Sequence, residues 1–532
     1  MPSVADPLPS QALLSKTLKS TEEALLALNQ EIEQALTIRN SFVPINLLPA
    51  EVFANILTHL KDPSGGEPTD VVAASHVCRH WRAIAVGTPQ LWTTIALANV
   101  DLVKEFLERS DPLPLHLSVG KRGAAFLDLA LATEDDMHRV ASLDAQFQGL
   151  EDLTVFASHF VDPAPALRTL RLALATAESS DSLEEDFQPP PIISRLCPNV
   201  NVVSATNLFF PLFDSRTGIT TLHLDGALPD FVPLLQMLSH CSSLQELLIV
   251  GEPPIAGWGD LSVELDVDLP LAHTITLRID FMPIALALLA HLVFPETAAV
   301  RVEMLYSSLE DTSTFGAVPL IPCTEKLPRW TVDWVSTYEV LVSGWTAGSR
   351  GPPCVQLAIT ARADSHDASF PPLLQCDWPL YIDNITDLTF DLRGRPLGST
   401  DVAGFYYYGS WFGNLETLRL RRPAQDAVVC LSRVLCDFFT TTLGDSPEEY
   451  TAYRLPSLRK VEVSNFVWNH GFFEPLWNLA IVRDELARGG HAVACAVELA
   501  DVVGCPLEDG RTVHVARARV VFDGEEVSLA ES

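Results

Sequence analysis

The sequence predicts an α/β chain: an N-terminal helix and a small all-helical module, followed by an irregular repeat solenoid with a parallel sheet. Three observations carry that expectation. Residues 14–36 run at helical apolar spacing without Gly or Pro, residues 43–95 hold two more helical patterns closed by turn residues, and from residue 149 a short apolar motif recurs. The expected divisions are 1–42 for the first helix, 43–95 for the helical module, 96–475 for the repeats with insertions and 476–532 for a C-terminal cap.

Composition bounds the function. At 532 residues and 48% hydrophobic content the chain can build a large core. Its 35 Lys and Arg against 68 Asp and Glu leave a net charge of −33. A surface of that sign repels phosphate backbones and anionic lipid, which counts against nucleic acid and membrane as partners. Ten cysteines are scattered without a CxxC pair and read as reduced thiols rather than a zinc ribbon or disulfide framework. Residues 1–16 lack the basic start and apolar core of a signal peptide, and the longest apolar run, 284–294, is too short to span a bilayer. An intracellular protein, cytoplasmic or nuclear, is expected.

In the first helix Leu18, Thr21, Leu25, Leu28, Ile32 and Ala35 alternate at spacings of three and four, a seam that packs on the same chain or pairs with a second helix. Next comes VPINLLPAEVFANILTHLKDP. Pro49 suits a first helical turn, where its missing N–H has no partner to lose, and Glu51 lies near the positive end of the helix dipole. Val52, Phe53, Ile56, Leu57 and Leu60 keep helical spacing until Asp62-Pro63 and Gly65-Gly66 end the element. A further helix starts at Thr69 or Asp70 and is expected to run unbroken through VVAASHVCRHWRAIAVG to Gly87, burying a stripe of Ala74, Val77, Cys78, Trp81, Ile84 and Ala85. On it His76 and His80 face one way, but Cys78 points away from both and no further ligand is near, so the stretch reads as a packing helix and not a metal site.

The string Leu48-Pro49-x-Glu51-Val52, Ile56, Leu60, Val77-Cys78-Arg79-x-Trp81-Arg82, Ile84-Ala85 and Pro89-x-Leu91-Trp92 resembles the F-box motif in order and spacing, apart from a longer loop at 64–70. The resemblance implies a small helical module that docks on a Skp-type adaptor and hangs its protein on a cullin ubiquitin ligase. It marks Leu48, Pro49, Val52, Ile56, Leu60, Val77, Trp81, Leu91 and Trp92 as adaptor-binding. A short helix, an F-box and a long irregular repeat region together are similar to large fungal families of such proteins.

The later bursts are GLEDLTVF (149–156), ALRTLRLAL (166–174), ITTLHLDG (219–226), SLQELLIVG (243–251), ITDLTFDL (385–392), NLETLRLRR (414–422) and SLRKVEVSN (457–465). Each reads apolar-x-x-apolar-x-apolar, which resembles the strand of a leucine-rich repeat, and helical patterns at 134–147 and 229–240 lie between them. Such units bury their apolar faces only by stacking. Insertions are expected at the acidic, Pro-rich 177–191 and at 306–372, which carries Trp330, Trp334 and Trp345. A cap of one helix (477–488) and two strands (492–499 and 512–522) is expected to shield the last repeat.

No nucleophile elbow, phosphate loop, dinucleotide fingerprint or zinc-peptidase spacing occurs, so neither an enzyme nor a cofactor is expected. The expected role is a substrate-recruiting subunit, with the adaptor and cullin as partners and a protein target that the sequence does not name. The runner-up is a scaffold or trafficking protein acting outside ubiquitin transfer. For the target, the cluster FYYYGSWF (405–412) nominates Tyr406, Tyr407, Tyr408 and Trp411, because aromatic side chains with polar edges carry much interface energy.

Overall fold

A computed structural model describes residues 9–60, 69–97, 99–120, 134–159, 164–175, 199–208, 212–213, 218–252, 263, 265–279, 282–306, 322–335, 339–361, 382–393, 413–425, 427–429, 438–442, 449–453, 455, 457–467, 487–488, 495–506, 512–523 and 526–531. The chain divides into two compact units, Met1–Arg171 and Leu172–Ser532. The fold is mixed α/β, with N-terminal helices and large, mostly parallel sheet structure.

The first unit opens with α1 (Pro9–Ser41), longer than the expected helix, then a 3-10 turn (Pro44–Leu47) and α2 (Ala50–Thr58). The helix expected to be continuous from residue 69 is two: α3 (Thr69–Ser75) and α4 (Arg79–Val86). Helical periodicity carries through the junction, yet Cys78 is fully extended there (φ −161°, ψ 170°). The unit continues through a 3-10 turn at Pro89–Trp92, β1 (Thr94–Ala96), α5 (Val100–Ser110), β2 (Leu115–Val119), α6 (Glu134–Arg139), β3 (Val140–Phe147) and α7 (Leu150–His159). Strands β1, β2 and β3 pair in parallel. Two expectations fail here. The helix expected over 134–147 stops at Arg139, because Val140, Leu143, Ala145 and Phe147 are buried along a strand. The burst at 149–156 is helix α7, which buries Leu153 and Phe156 three residues apart, with the Phe156 ring edge-on to Phe147 at 5.0 Å. Strand β4 (Thr169–Leu174) follows.

The second unit holds β5 (Val202–Thr206), β6 (Thr221–Ala227), α8 (Phe231–Ser239), β7 (Glu246–Glu252), β8 (Val267–Asp268), β9 (Thr274–Ile279), α9 (Met282–Ala290), β10 (Leu292–Val293) and β11 (Ala299–Tyr306). It goes on through β12 (Arg329–Trp334), β13 (Glu339–Trp345), β14 (Val355–Ala361), β15 (Asp387–Asp391), β16 (Thr417–Arg421), β17 (Phe438–Thr442), β18 (Glu449–Tyr453), β19 (Lys460–Val467), β20 (Ala496–Pro506), β21 (Thr512–Asp523) and β22 (Glu526–Glu531). Strands β5, β6, β7, β9, β11 and β14 pair in parallel in that order. Then β13 inserts antiparallel between β14 and β12, after which β12, β15, β16, β19 and β20 are parallel again. Strands β20, β21 and β22 close the sequence as an antiparallel meander. The run 306–372, expected as an insertion, thus supplies three strands, and Trp330 is buried with its indole N–H donating to the Leu327 carbonyl at 2.6 Å.

One face of these strands is the core: Leu222 and Leu224, Leu247 and Ile249, Ile275 and Leu277, and Val300 and Val302 are buried in register. Helix α9 is apolar all round, as a helix buried on every side must be, and its residues Ile284, Ala285, Leu286, Ala287, Leu288 and Leu289 are all buried. The opposite face is charged. Asp333 and Asp391 sit side by side in register at the ends of β12 and β15, a like-charge pair that destabilises unless compensated. Each receives a guanidinium from the following strand end, Arg393 on Asp333 (3.0 and 2.8 Å) and Arg422 on Asp391 (2.7 and 2.5 Å), with both arginines in left-handed backbone conformation. Further along, Arg419 meets Asp387 at 3.1 Å and Lys460 bridges Glu462 and Glu498 at 3.0 and 2.8 Å.

Between β5 and β7 the constraint is close packing. Asn207 is left-handed (φ 57°); its amide donates to the Leu174 carbonyl at 3.1 Å and its Oδ1 accepts from the Ala227 N–H at 3.1 Å. A Cβ on Gly226 would meet that Oδ1 at 1.9 Å, and one on Gly251 would meet the Gly226 carbonyl at 1.9 Å. The glycines that end the bursts at 219–226 and 243–251 are therefore required. Asn207→Ala should cost about 2–3 kcal/mol, from two lost hydrogen bonds and left-handed strain. Asn207→Gly should cost about 1 kcal/mol less, since only the strain is relieved. Urea unfolding of the two variants checks this; equal losses would mean that backbone strain plays no part.

Candidate protein-docking site

The first unit carries a run of exposed apolar side chains between the end of α1 and the start of α4. Phe42 is 77% exposed, Leu47 70% and Val77 59%, and Val43, Val52, Ile56 and Leu60 are also exposed. Single exposed apolar residues need no explanation, but a concentration of large ones in one small module makes a candidate interaction surface.

Helix α2 shows how the sequence makes this face. Pro49 stands at its N-cap and its carbonyl takes the first helical hydrogen bond from Phe53 N–H at 3.0 Å, while Glu51 is the acidic residue of the first turn. Residues four apart share a helix face. Phe53 and Leu57 form one stripe, 1% and 2% exposed, whereas Val52 and Ile56 form the neighbouring stripe and stay in solvent. Leu60 extends the exposed stripe from the turn after the helix, its N–H on the Leu57 carbonyl at 3.0 Å.

The buried stripe rests on α4. The Phe53 ring packs edge-on to Trp81 at 4.8 Å and stacks on His80 at 6.3 Å. Trp81 is half-buried, and its indole N–H donates to Asn46 Oδ1 at 2.6 Å; the Asn46 amide in turn donates to the Asn40 carbonyl at 2.7 Å. Asn46 thus ties the last turn of α1 to α4, and Arg79 forms an ion pair with Glu33 across the same gap. A cleft of about 220 Å³ remains there, lined by the end of α1, Asn46, Cys78, Arg79 and His80.

The nominated docking residues divide. Val52, Ile56, Leu60, Val77 and Pro49 are exposed, and Leu48 is half-buried in the extended link before α2. Val77, expected inside the helix stripe, is turned out by the break before Cys78. Leu91 and Trp92 lie inside the unit at 1% and 0% exposure. The Trp92 indole N–H donates to the Ala85 carbonyl at 2.8 Å, its ring packs edge-on to Phe106 at 4.8 Å, and the Arg109 guanidinium covers it at 4.5 Å. Trp92 thereby holds α4 against α5, and neither side chain presents surface to a partner. Phe42, Val43, Leu47 and Asn46 were not singled out by sequence; the first three carry no signal that separates an exposed apolar residue from a buried one.

His76 and His80 are exposed, and among the described residues no group of three or more His, Cys, Asp or Glu is placed to hold a metal ion. Also among those residues, no helix is long and apolar enough to cross a membrane. Tyr406, Tyr407, Tyr408 and Trp411, nominated for target binding, lie outside the described residues.

The two stripes of α2 predict opposite outcomes. Phe53→Ala should destabilise the first unit by about 3–5 kcal/mol, because it leaves a cavity against Trp81 and His80. Val52→Ala, on the exposed stripe, should change stability by about 0.5 kcal/mol or less. Thermal or denaturant unfolding followed by tryptophan fluorescence distinguishes the two.

Residues 45–98 match the family model described as F-box-like. Comparison with curated proteins found no match. The matched segment spans Asn46, both stripes of α2, the broken α3–α4 pair and the Trp92 anchor. Residues 45–98 of the N-terminal helical module therefore form an F-box-like domain.

Proposed function

We propose that this protein recruits a target to a cullin-type ubiquitin ligase: the F-box-like domain docks on a Skp-type adaptor, and the second unit holds the target. The observation that carries the reading is the divided α2 within that domain, where Val52 and Ile56 stay exposed while Phe53 and Leu57 hold the helix in place. Apolar side chains fixed on a rigid helix and surrounded by polar ones are the usual energetic centre of a protein interface. Leu48, Pro49, Leu60 and Val77 extend this face in the proposal, Trp81 supports it from behind, and Leu91 and Trp92 act only through packing. Adaptor docking requires no catalytic group on this chain. The net charge of −33 further disfavours nucleic acid as the recruited target.

Val52→Asp combined with Ile56→Asp should weaken binding of a purified Skp-type adaptor by more than about tenfold, roughly 1.4 kcal/mol, with the unfolding midpoint unchanged. Leu48→Ala with Pro49→Ala should act in the same direction. Undiminished binding by both double variants, measured by isothermal titration, would remove the adaptor assignment. Affinity purification from cells separates ligase recruitment from a scaffold role: a recruiter co-purifies the cullin and a protein whose level rises when this chain is removed, and a scaffold does neither.

A further inference from the structure

Helix α1 is 33 residues long, about 50 Å at the helical rise, and its apolar seam faces solvent. Leu14, Leu18, Leu25, Leu28 and Ile32 are 61, 59, 60, 53 and 48% exposed. In heptad terms Leu18, Leu25 and Ile32 occupy one core position and Leu14, Thr21 and Leu28 the other. We propose that a second copy of this chain covers this seam, forming an antiparallel two-helix pair.

Three observations favour that occupant. The first is area. A specific interface needs about 1,000 Å² of total buried surface, about 500 Å² per copy. The five residues offer roughly 100 Å² each, so the seam just reaches that threshold, the size of a weak dimer that dissociates on dilution. The second is Thr21, the polar residue in the seam. Its hydroxyl bonds back to the Thr17 and Leu18 carbonyls at 3.0 and 2.8 Å, so burying it strands no donor.

The third is position, which sets the direction. The C-terminus of α1 runs directly into the F-box-like domain, tied by Asn46 to the Asn40 carbonyl and by Arg79 to Glu33. Parallel pairing would bring two of these domains together at one end. Antiparallel pairing stacks Leu18 on Leu28, Ile32 on Leu14 and Leu25 on Thr21 of the second copy. That register separates the two Ser41 positions by about 54 Å along the axis, so both docking faces stay open.

Analytical ultracentrifugation of the full chain across micromolar concentrations is the test. The parent should pass from monomer to dimer, and Leu25→Glu with Leu28→Glu should stay monomeric with unchanged circular dichroism, since glutamate is a good helix former. A parent that remains a monomer at every concentration overturns the proposal and leaves the seam to a different protein. A dimer that survives the double variant overturns it as well, because another surface then holds the copies together. Direction is read by mixing Leu18→Cys with Leu28→Cys protein and mapping bismaleimide-linked peptides by mass spectrometry. An 18-to-28 link between chains supports the antiparallel pair, and an 18-to-18 link in the single variant refutes it.

Discussion

The exposed apolar face of the F-box-like domain hangs from the burial of one ring. A nine-residue helix cannot sustain itself in water, because nucleation costs more than so few hydrogen bonds return. Helix α2 persists because Phe53 is enclosed by Trp81 and His80. Trp81 is oriented in turn by Asn46, and Trp92 fixes the far end of α4 through the Ala85 carbonyl and Phe106. With one stripe of α2 committed to that packing, the adjacent stripe has no interior left to enter. Exposure of Val52 and Ile56 is thus a consequence of where Phe53 goes, and the surface they form inherits its rigidity.

The sequence was readable where local chemistry and tertiary packing agree. Pro49, Glu51 and the apolar spacing of α2 all point to a helix in that place, and a helix is there. The break between α3 and α4 was not readable. No Gly or Pro marks residues 76–78, and the apolar stripe continues across them at helical spacing. In the folded unit the His76 and Val77 N–H groups bond the Ala73 and Ala74 carbonyls in a tightened last turn, and Cys78 extends. Packing overrode periodicity, and Val77 changed sides as a result. The nominated site residues divided for a related reason: Leu91 and Ile56 are equally apolar in the sequence, and only the tertiary structure assigns one to the interior and the other to water.

The parallel strands were legible from the alternating Leu and Val that β6, β7, β15, β16 and β19 bury. The same motif misled at 149–156, since an apolar spacing of three suits a helix as well as the start of a strand, and α7 uses it to bury Leu153 and Phe156. Strand β12 fits the same spacing at Leu327, Trp330 and Val332, all buried, but its neighbour β13 runs antiparallel, inserted into an otherwise parallel order. Nothing in the chain's local pattern announces a change of strand direction.

The clasps at the strand ends bear on how this chain can vary. Shifting a strand by one residue turns its whole buried set toward solvent, so alignment between neighbours must be held by something. Here Arg393 and Arg422, each just past the end of its own strand, grip Asp333 and Asp391 on the neighbouring strand. Each clasp fixes alignment at the strand's end, so that of β15 and β16 does not depend on the length of residues 394–416 that join them in sequence. Insertions or deletions there can accumulate without sliding the sheet. A chain built this way can diverge between its strands while its sheet stays in step.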